Sequence, residues 1–272
     1  MTIQQWITTA TAQLTKAGIT SARLDVELLL AHTLGRTRTS LHAHPEAIIT
    51  AAFLPVLAAQ LQLRTERVPL AYLLGYKEFY GRTFTVTPAT LVPRPESEAI
   101  ITQLLTLEET SNQPKTLIDI GTGSGILGIT SQLELPHITV TLSDISPAAL
   151  EVATHNAAQL GAHVTIAPAA HLLSQQTKPY DYIIANLPYV AAEWDDVSPE
   201  LQHEPQTALY ADNHGLALIY ELLPQAASLL TPNGYLLLEA DPTQHGAIIA
   251  RAHQVSLATH QQQDYCLVLT RA

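Results

Sequence analysis

The feature that most narrows the fold is a short apolar run leading into a glycine-rich turn and then a helix, TLIDIGTGSGILGI at residues 116–129. Five residues are too few for a helix but enough for a buried strand. Glycines at 121, 123 and 125 let the backbone turn tightly and approach a ligand closely. The alternation continues downstream. Strand patterns fall at 116–120, 138–144, 163–167, 181–186, 234–240 and 266–272, and helical ones at 126–134, 147–160, 215–230 and 243–253. Such alternation predicts an α/β domain with a parallel sheet and helices on both faces.

The first 70 residues are different in kind. Thr2 and Gln5 are spaced as a capping box, Ile3, Trp6, Ile7, Ala10 and Leu14 recur at helical spacing, and Gly18 can end the helix. Ser21 is placed to cap a second helix that stops at Gly35, and a third pattern runs from Pro45 to Arg64, with Leu54, Leu57, Ala58 and Leu61 on one side. At 75–95, Phe84 and Val86 alternate with threonines and Gly81 can turn the chain, which reads as a β-hairpin or extended linker. The expected organisation is a helical bundle at 1–74, a hairpin linker at 75–95 and an α/β domain at 96–272.

Composition excludes several classes. Of 272 residues, 47% are hydrophobic and 14% charged, enough apolar material for a sizeable core. No apolar run matches a membrane span and no basic-then-apolar leader opens the chain, so a cytoplasmic protein is expected. A single cysteine, Cys266, leaves no intramolecular disulfide, and its alternation with apolar residues predicts a core position. His42 and His44 have no third ligand nearby in sequence, so no metal site is predicted. The net charge of −11 is uneven: residues 1–70 hold six Lys and Arg against four Asp and Glu, and the rest hold seven against twenty. An acidic surface repels phosphate backbones, so direct nucleic-acid binding is not expected.

The glycine spacing separates the ligand classes. Ile126 stands where a dinucleotide fingerprint requires glycine, and no Lys-Ser/Thr follows, so neither NAD nor a nucleoside triphosphate is indicated. Asp119 precedes the loop Gly121-Thr122-Gly123-Ser124-Gly125. Asp144 ends the next strand, where a carboxylate can accept both ribose hydroxyls. This combination resembles the S-adenosylmethionine site of the Rossmann-like methyltransferases. The resemblance implies S-adenosylmethionine as cofactor, no metal, and Asp119 near the cationic methionine end.

The run YDYIIANLPYV, residues 180–190, ends a greasy strand in an amide, a proline and a ring. Sheets of this kind bind ligands at the carboxyl ends of their strands. There, Asn186 and the carbonyl of Leu187, held by Pro188, can accept the two hydrogens of an NH₂ group, and Tyr189 can pack on its plane. An amide or arylamine nitrogen, its lone pair delocalised, is a poor nucleophile. Gripping its hydrogens orients it and favours the transition state, in which they become better donors.

Longer segments narrow the class. VPLAYLLGYKEFYGRTFTVTPATLVPRPESE at 68–98, SARLDVELLLAHTLGRTR at 21–38, SDISPAALEVATHNAAQLG, HEPQTALYADNHGLALIYELL and LLLEADPTQ resemble the peptide-chain-release-factor glutamine methyltransferases. The resemblance implies methylation of the glutamine side-chain nitrogen in a Gly-Gly-Gln motif of release factors, with the N-terminal bundle gripping the factor. It maps the amide-holding residues to Asn186, Leu187, Pro188 and Tyr189, with Asn186 also a cofactor-binding position. It also maps the cofactor loop to 121–125, the ribose acid to Asp144, the position beside adenine to His171, and pocket-shaping roles to Arg94 and Glu96. Leu187 replaces a proline of the family pattern, which predicts slower or less selective transfer. Asp212, His214 and Arg67 also depart from it, Asp212 and Arg67 standing where glycines are usual. Glu204 reads as a solvated loop carboxylate, and Trp194-Asp195-Asp196 as a surface loop near the site. Two alternatives stay open: an adenine-N6 nucleic-acid methyltransferase, which the acidic surface disfavours, and a non-catalytic cofactor-binding adaptor, which the Leu187 change would permit.

Overall fold

A computed structural model describes residues 1–109, 113–194 and 197–271, in two compact units, Met1–Gly75 and Tyr76–Ala272. Among the described residues no helix is long and apolar enough to cross a membrane.

The first unit is helical. α1 (Ile3–Lys16) opens with the predicted capping box: Gln5 N donates to Thr2 Oγ1 at 3.2 Å, and Thr2 N donates to Gln5 Oε1 at 2.9 Å. Its apolar stripe is buried against α2 (Ala22–Leu34), which ends at Gly35 with φ +62°. Ser21 makes no side-chain cap, contrary to expectation; instead its carbonyl takes the Asp25 N–H. α3 (Arg38–Ala43), not anticipated, is capped by Thr37. The third pattern is shorter than predicted, a 3₁₀ turn at Ala51–Phe53 leading into α4 (Leu54–Thr65). Leu57 and Leu61 face the core and Ala58 faces solvent. Before α5 (Leu70–Leu74), Arg67 has φ +72°, where glycine is the unstrained choice. Its guanidinium donates to the carbonyls of Ala17 and Gly18 at 2.8 and 3.0 Å, completing the end of α1, which a glycine could not do.

Two carboxylates of α2 are buried with partners. Asp25 accepts from Arg64 Nε at 2.7 Å, both side chains being almost inaccessible. Glu27 accepts from Arg23 and Arg38 at 2.5 and 2.7 Å and lies 3.2 Å from His42 Nε2, so His42 serves this cluster.

The second unit begins with the predicted hairpin, β1 (Tyr76–Phe79) against β2 (Arg82–Thr85), closed by Tyr80 and Gly81 at positive φ. α6 (Glu98–Glu108), unforeseen in the sequence, follows. Then come β3 (Lys115–Ile120), α7 (Ile126–Glu134), β4 (Ile138–Asp144), α8 (Pro147–Leu160), β5 (Val164–Pro168), β6 (Tyr180–Ala185), α9 (Ala217–Leu229), β7 (Leu230–Glu239), α10 (His245–His253), β8 (Leu257–Gln263) and β9 (Cys266–Arg271). The sheet order is β5-β4-β3-β6-β7-β9-β8.

The sheet is mixed where a parallel one was expected. β5, β4, β3, β6 and β7 run parallel, β9 is antiparallel to β7, and β8 pairs antiparallel with β9 at the edge. The sequence of β8, LATHQQQ, has no apolar alternation because an edge strand exposed to water needs none. Helices cover both faces. Ile219, Leu222 and Ile248 pack on Ile118, Ile183 and Leu236; Ile100, Ile129 and Ala153 pack on Leu117, Tyr182 and Leu237. Cys266 is buried in the second layer.

The register positions the site. Ile120 pairs with Ala185, and Ala185 with Leu238. The next residue on each strand is therefore Gly121, Asn186 and Glu239, side by side at the carboxyl edge. The strand order reverses at β3, and crevices at such reversals bind ligands.

Candidate active site

The loop from β3 to α7 is held open by its own backbone. Gly121, Gly123 and Gly125 have φ of +68°, +55° and +85°. The N–H groups of Gly121 and Thr122 donate to the Ser143 carbonyl at 2.9 and 3.0 Å, tying the loop to β4. Gly123 N donates to Asp144 Oδ2 and Ser146 N to Asp144 Oδ1, both at 2.9 Å. The Asp144 carboxylate is fixed in place, yet each oxygen keeps a lone pair for a hydroxyl.

Asp119 is buried beneath this loop. Its Oδ2 accepts from Thr122 Oγ1 at 2.6 Å and from Gly128 N at 2.9 Å, while Oδ1 is buried with no partner among the described residues. Burial pushes its carboxyl up to about 6, against the pull of those two donors and with a push from Asp144. A buried carboxylate oxygen without a donor is costly unless a ligand completes it. A ligand carrying a cationic amine beside ribose hydroxyls fits this set: a free anionic oxygen, a fixed carboxylate at the end of β4, and a glycine turn between them.

Two cavities adjoin at the carboxyl edge. The larger opens to solvent, spans about 1170 Å³ of atom-free space with its mouth included, and is lined by Asp119, residues 121–124, Asp144, His171, Asn186 and Leu187. The smaller spans about 500 Å³, its open mouth included, and is lined by Tyr189, Leu209 and Glu239, among others. Arg94, Asn186 and Leu187 line both, so the loop after β6 stands between them. Gly125 caps α7 behind the lining. Pro188 lines the larger cavity. His171 reaches the larger cavity from a turn after β5, its Nε2 2.6 Å from Glu221 Oε2. Glu96 is exposed and lines neither cavity; only its charge reaches Glu239 and Tyr189. Asp195 and Asp196 lie outside the described residues.

Glu204 overturns its reading as a solvated carboxylate. It is 3% exposed and accepts from Val92 N at 2.9 Å and Arg94 Nη2 at 2.5 Å. It pins the segment before α6 to the loop after β6 and aims Arg94 into both cavities.

Beneath the loop lies a polar chain. Asn186 Nδ2 donates to Ser97 Oγ at 3.1 Å, Ser97 Oγ donates to Glu239 Oε2 at 2.5 Å, and Tyr189 Oη donates to Glu239 Oε1 at 3.1 Å. Glu239 is 2% exposed, and burial, with a push from Glu96, raises its carboxyl above the ordinary range despite the donors from Ser97, Tyr189 and Asn186. Burial likewise raises the Tyr189 hydroxyl, and the Glu239 charge adds to it. The hydroxyl of Tyr189 is thus anchored inward while its ring walls the smaller cavity. The carbonyl of Tyr189 takes Gln244 Nε2 at 2.8 Å. Gly215 lies against that carbonyl so closely that a Cβ would stand 2.0 Å from its oxygen, so only glycine fits. Ser97, Glu204, Glu239 and Gln244 went unnamed as site residues. Glu239 alone carried a usable signal, since it ends a strand as Asp144 does.

A profile described as the methyltransferase small domain matches residues 98–265, and one described as the PrmC N-terminal domain matches residues 5–75. A release factor glutamine methyltransferase of Deinococcus radiodurans is 38% identical over 250 residues, covering 89% of this chain and 87% of that protein. The chain belongs to the release factor glutamine methyltransferase family. A second member, from Moorella thermoacetica, is 34% identical and covers 96% of this chain and 93% of that protein. A T. thermophilus 16S rRNA methyltransferase, solved in complex with AdoMet and guanosine, shares the fold. It has a TM-score of 0.52, is 15% identical, and covers 72% of this chain and 49% of that one. Membership makes this an S-adenosylmethionine-dependent methyltransferase, and the ligand inferred from Asp119 and Asp144 agrees. Among the described residues no cluster of three or more His, Cys, Asp or Glu could hold a metal ion.

Proposed function

We propose that the protein methylates the side-chain amide nitrogen of the glutamine in the Gly-Gly-Gln motif of release factors, with the cofactor in the larger cavity and the glutamine in the smaller. The observation that carries this reading is that Asn186 and Leu187 line both cavities, beside the glycine turn on one flank and buried Glu239 on the other. S-adenosylmethionine, when bound, supplies a methyl group on a sulfonium. Asp144 would hold its ribose, the loop 121–125 its backbone-facing edge, Asp119 its amine, and His171 its base.

The chain's own residues do the rest. Asn186 Oδ1 and the Leu187 carbonyl accept the two N–H groups of the glutamine and present the nitrogen's lone pair across the shared wall. On transfer of the methyl group from the sulfonium, which would leave as a neutral thioether, positive charge would grow on the glutamine nitrogen, and both acceptors would hold its hydrogens more strongly. The nitrogen then loses a proton to water. Tyr189 walls the amide plane, and Arg94 lies at the rim of both cavities. The 1–74 bundle would grip the body of the release factor, with 75–95 as the linker to the 96–272 catalytic domain.

Tritiated S-adenosylmethionine tests this. Label should enter a Gly-Gly-Gln release factor and be lost when that glutamine becomes alanine. Label on DNA, or none on the factor despite tight cofactor binding, would refute it.

A further inference from the structure

An asparagine side chain is a gripping device only when its oxygen faces the acceptor amide. Rotated by half a turn, it offers Nδ2 to another N–H donor and repels it. The shape of the carboxamide does not select between the two orientations, so something must select by polarity.

The chain beneath the loop provides that selection. Ser97 has one hydroxyl hydrogen, and it is committed to Glu239 Oε2 at 2.5 Å. Toward Asn186, Ser97 therefore has only lone pairs, and it takes the hydrogen of Asn186 Nδ2 at 3.1 Å. The second carboxylate oxygen is occupied by the Tyr189 hydroxyl. We propose that Glu239 and Ser97 form a polarity lock that fixes the Asn186 carboxamide with its oxygen, not its nitrogen, toward the methyl acceptor. Ser97 and Glu239 are positioning residues here; neither touches the reacting atoms. Both are buried, Ser97 at 0% and Glu239 at 2% exposure, so water cannot substitute as a donor of arbitrary polarity.

The lock depends on ionised Glu239. Protonated, it would own a hydrogen to give, the Ser97 hydroxyl would be free to reverse, and Asn186 could turn. The groups that bear on Glu239 are Ser97 and Tyr189, the Asn186 amide, which also hydrogen-bonds the carboxylate itself, Glu96 before α6, and Cys266, its partner on β9; Arg94 lines the same cavity. Glu96 opposes its ionisation, and the Ser97, Tyr189 and Asn186 donors support it, so Asn186 Nδ2 is drawn toward the carboxylate directly as well as through Ser97.

The test is a double-mutant cycle in the full-length protein with a release factor as substrate. The inference rests on the proposed reaction, so wild type must first label the factor; no label at all would sink that reaction rather than the lock. Given activity, Ser97→Ala should lower kcat about tenfold to a hundredfold with little change in cofactor KM, and Ser97→Thr, which keeps the hydroxyl, should recover most of it. In an Asn186→Ala background, Ser97→Ala should cost almost nothing further, because no amide remains to be turned. An equal loss in both backgrounds, or none in either, would overturn the lock.

A second readout needs no activity. The side-chain ¹⁵NH₂ signal of Asn186, assigned by its loss in Asn186→Ala, should shift as Glu239 titrates, at a pH above the ordinary carboxylate range. In Ser97→Thr the shift should persist, and in Glu239→Gln it should vanish. A signal that ignores pH in wild type would overturn the lock, even if Ser97→Ala proved too unstable to assay.

Discussion

Two sets of solvent-shielded carboxylates in this chain are shifted in opposite directions: Glu27 and Glu108 sit under less protein and among more donors than Asp119 and Glu239. Glu27 in the helical unit and Glu108 at the amino end of the sheet are surrounded by donors. Burial pushes each upward, but Arg23, Arg38 and His42 bring Glu27 below its ordinary value, and His137, Lys115 and Tyr182 do the same for Glu108. Asp119 and Glu239, at the carboxyl edge, meet hydroxyls, a backbone N–H and the Asn186 amide but, among the described residues, no cation within ion-pair distance, and both are pushed up. The paired set supports the fold. The other set lies at the proposed site, as perturbed groups tend to do.

Four experiments would break or sharpen that contrast. The largest effect is expected from Arg64→Ala, which strands buried Asp25. It should cost about 3–5 kcal/mol in urea denaturation followed by Trp6 fluorescence. A loss under about 1 kcal/mol would mean that the pairing does little for stability.

Asn186→Ala should act on the other side of the contrast. Turnover should fall roughly a hundredfold to a thousandfold, with cofactor affinity by calorimetry and thermal stability nearly unchanged. An equal drop in cofactor affinity would place Asn186 in the wrong cavity.

Asp119 links the two measurements. Its carboxyl rises from 3.8 to about 6 on folding, so the folded state binds its proton more tightly than the unfolded one. Its contribution is complete below pH 4 and lost as pH rises through 6, a change of about 3 kcal/mol in the ligand-free protein. Glu27 and Glu108 work the other way, losing stability as pH falls below the ordinary carboxylate value. Asp119→Asn should remove the first trend alone, gaining on wild type between pH 4 and pH 7 while weakening cofactor binding. Parallel pH curves for the two proteins would show that Asp119 carries no penalty.

The smallest effect is expected from Leu187→Pro. Leu187 is buried, 5% exposed, and its Cδ2 lies 3.3 Å from where a Cβ on Gly121 would be. The proposed acceptor is a backbone oxygen that either residue supplies, so activity should hold or rise modestly. A fall above about tenfold would mean that the leucine side chain itself shapes the site.

Sequence alone determined whatever follows from local pattern. The period-two and helical alternations fixed the α/β class, since each element must bury one face or both. The capping box at Thr2 and Gln5, the hairpin at Tyr80-Gly81 and the glycine loop at 121–125 are written in consecutive residues, and the strand-ending Asp144 follows the same logic. Tertiary structure decided what depends on partners distant in sequence. Glu204 is a pinned, buried carboxylate only because Val92 and Arg94, over 100 residues earlier, meet it. Glu239 lies beside Asn186 only because β6 and β7 pair in one register, and Ser97 joins them from the start of α6. β8 escaped notice because edge pairing, not burial, makes it a strand. A pattern records which face a residue shows; which charges are left without a partner is settled only when folding brings the neighbours together.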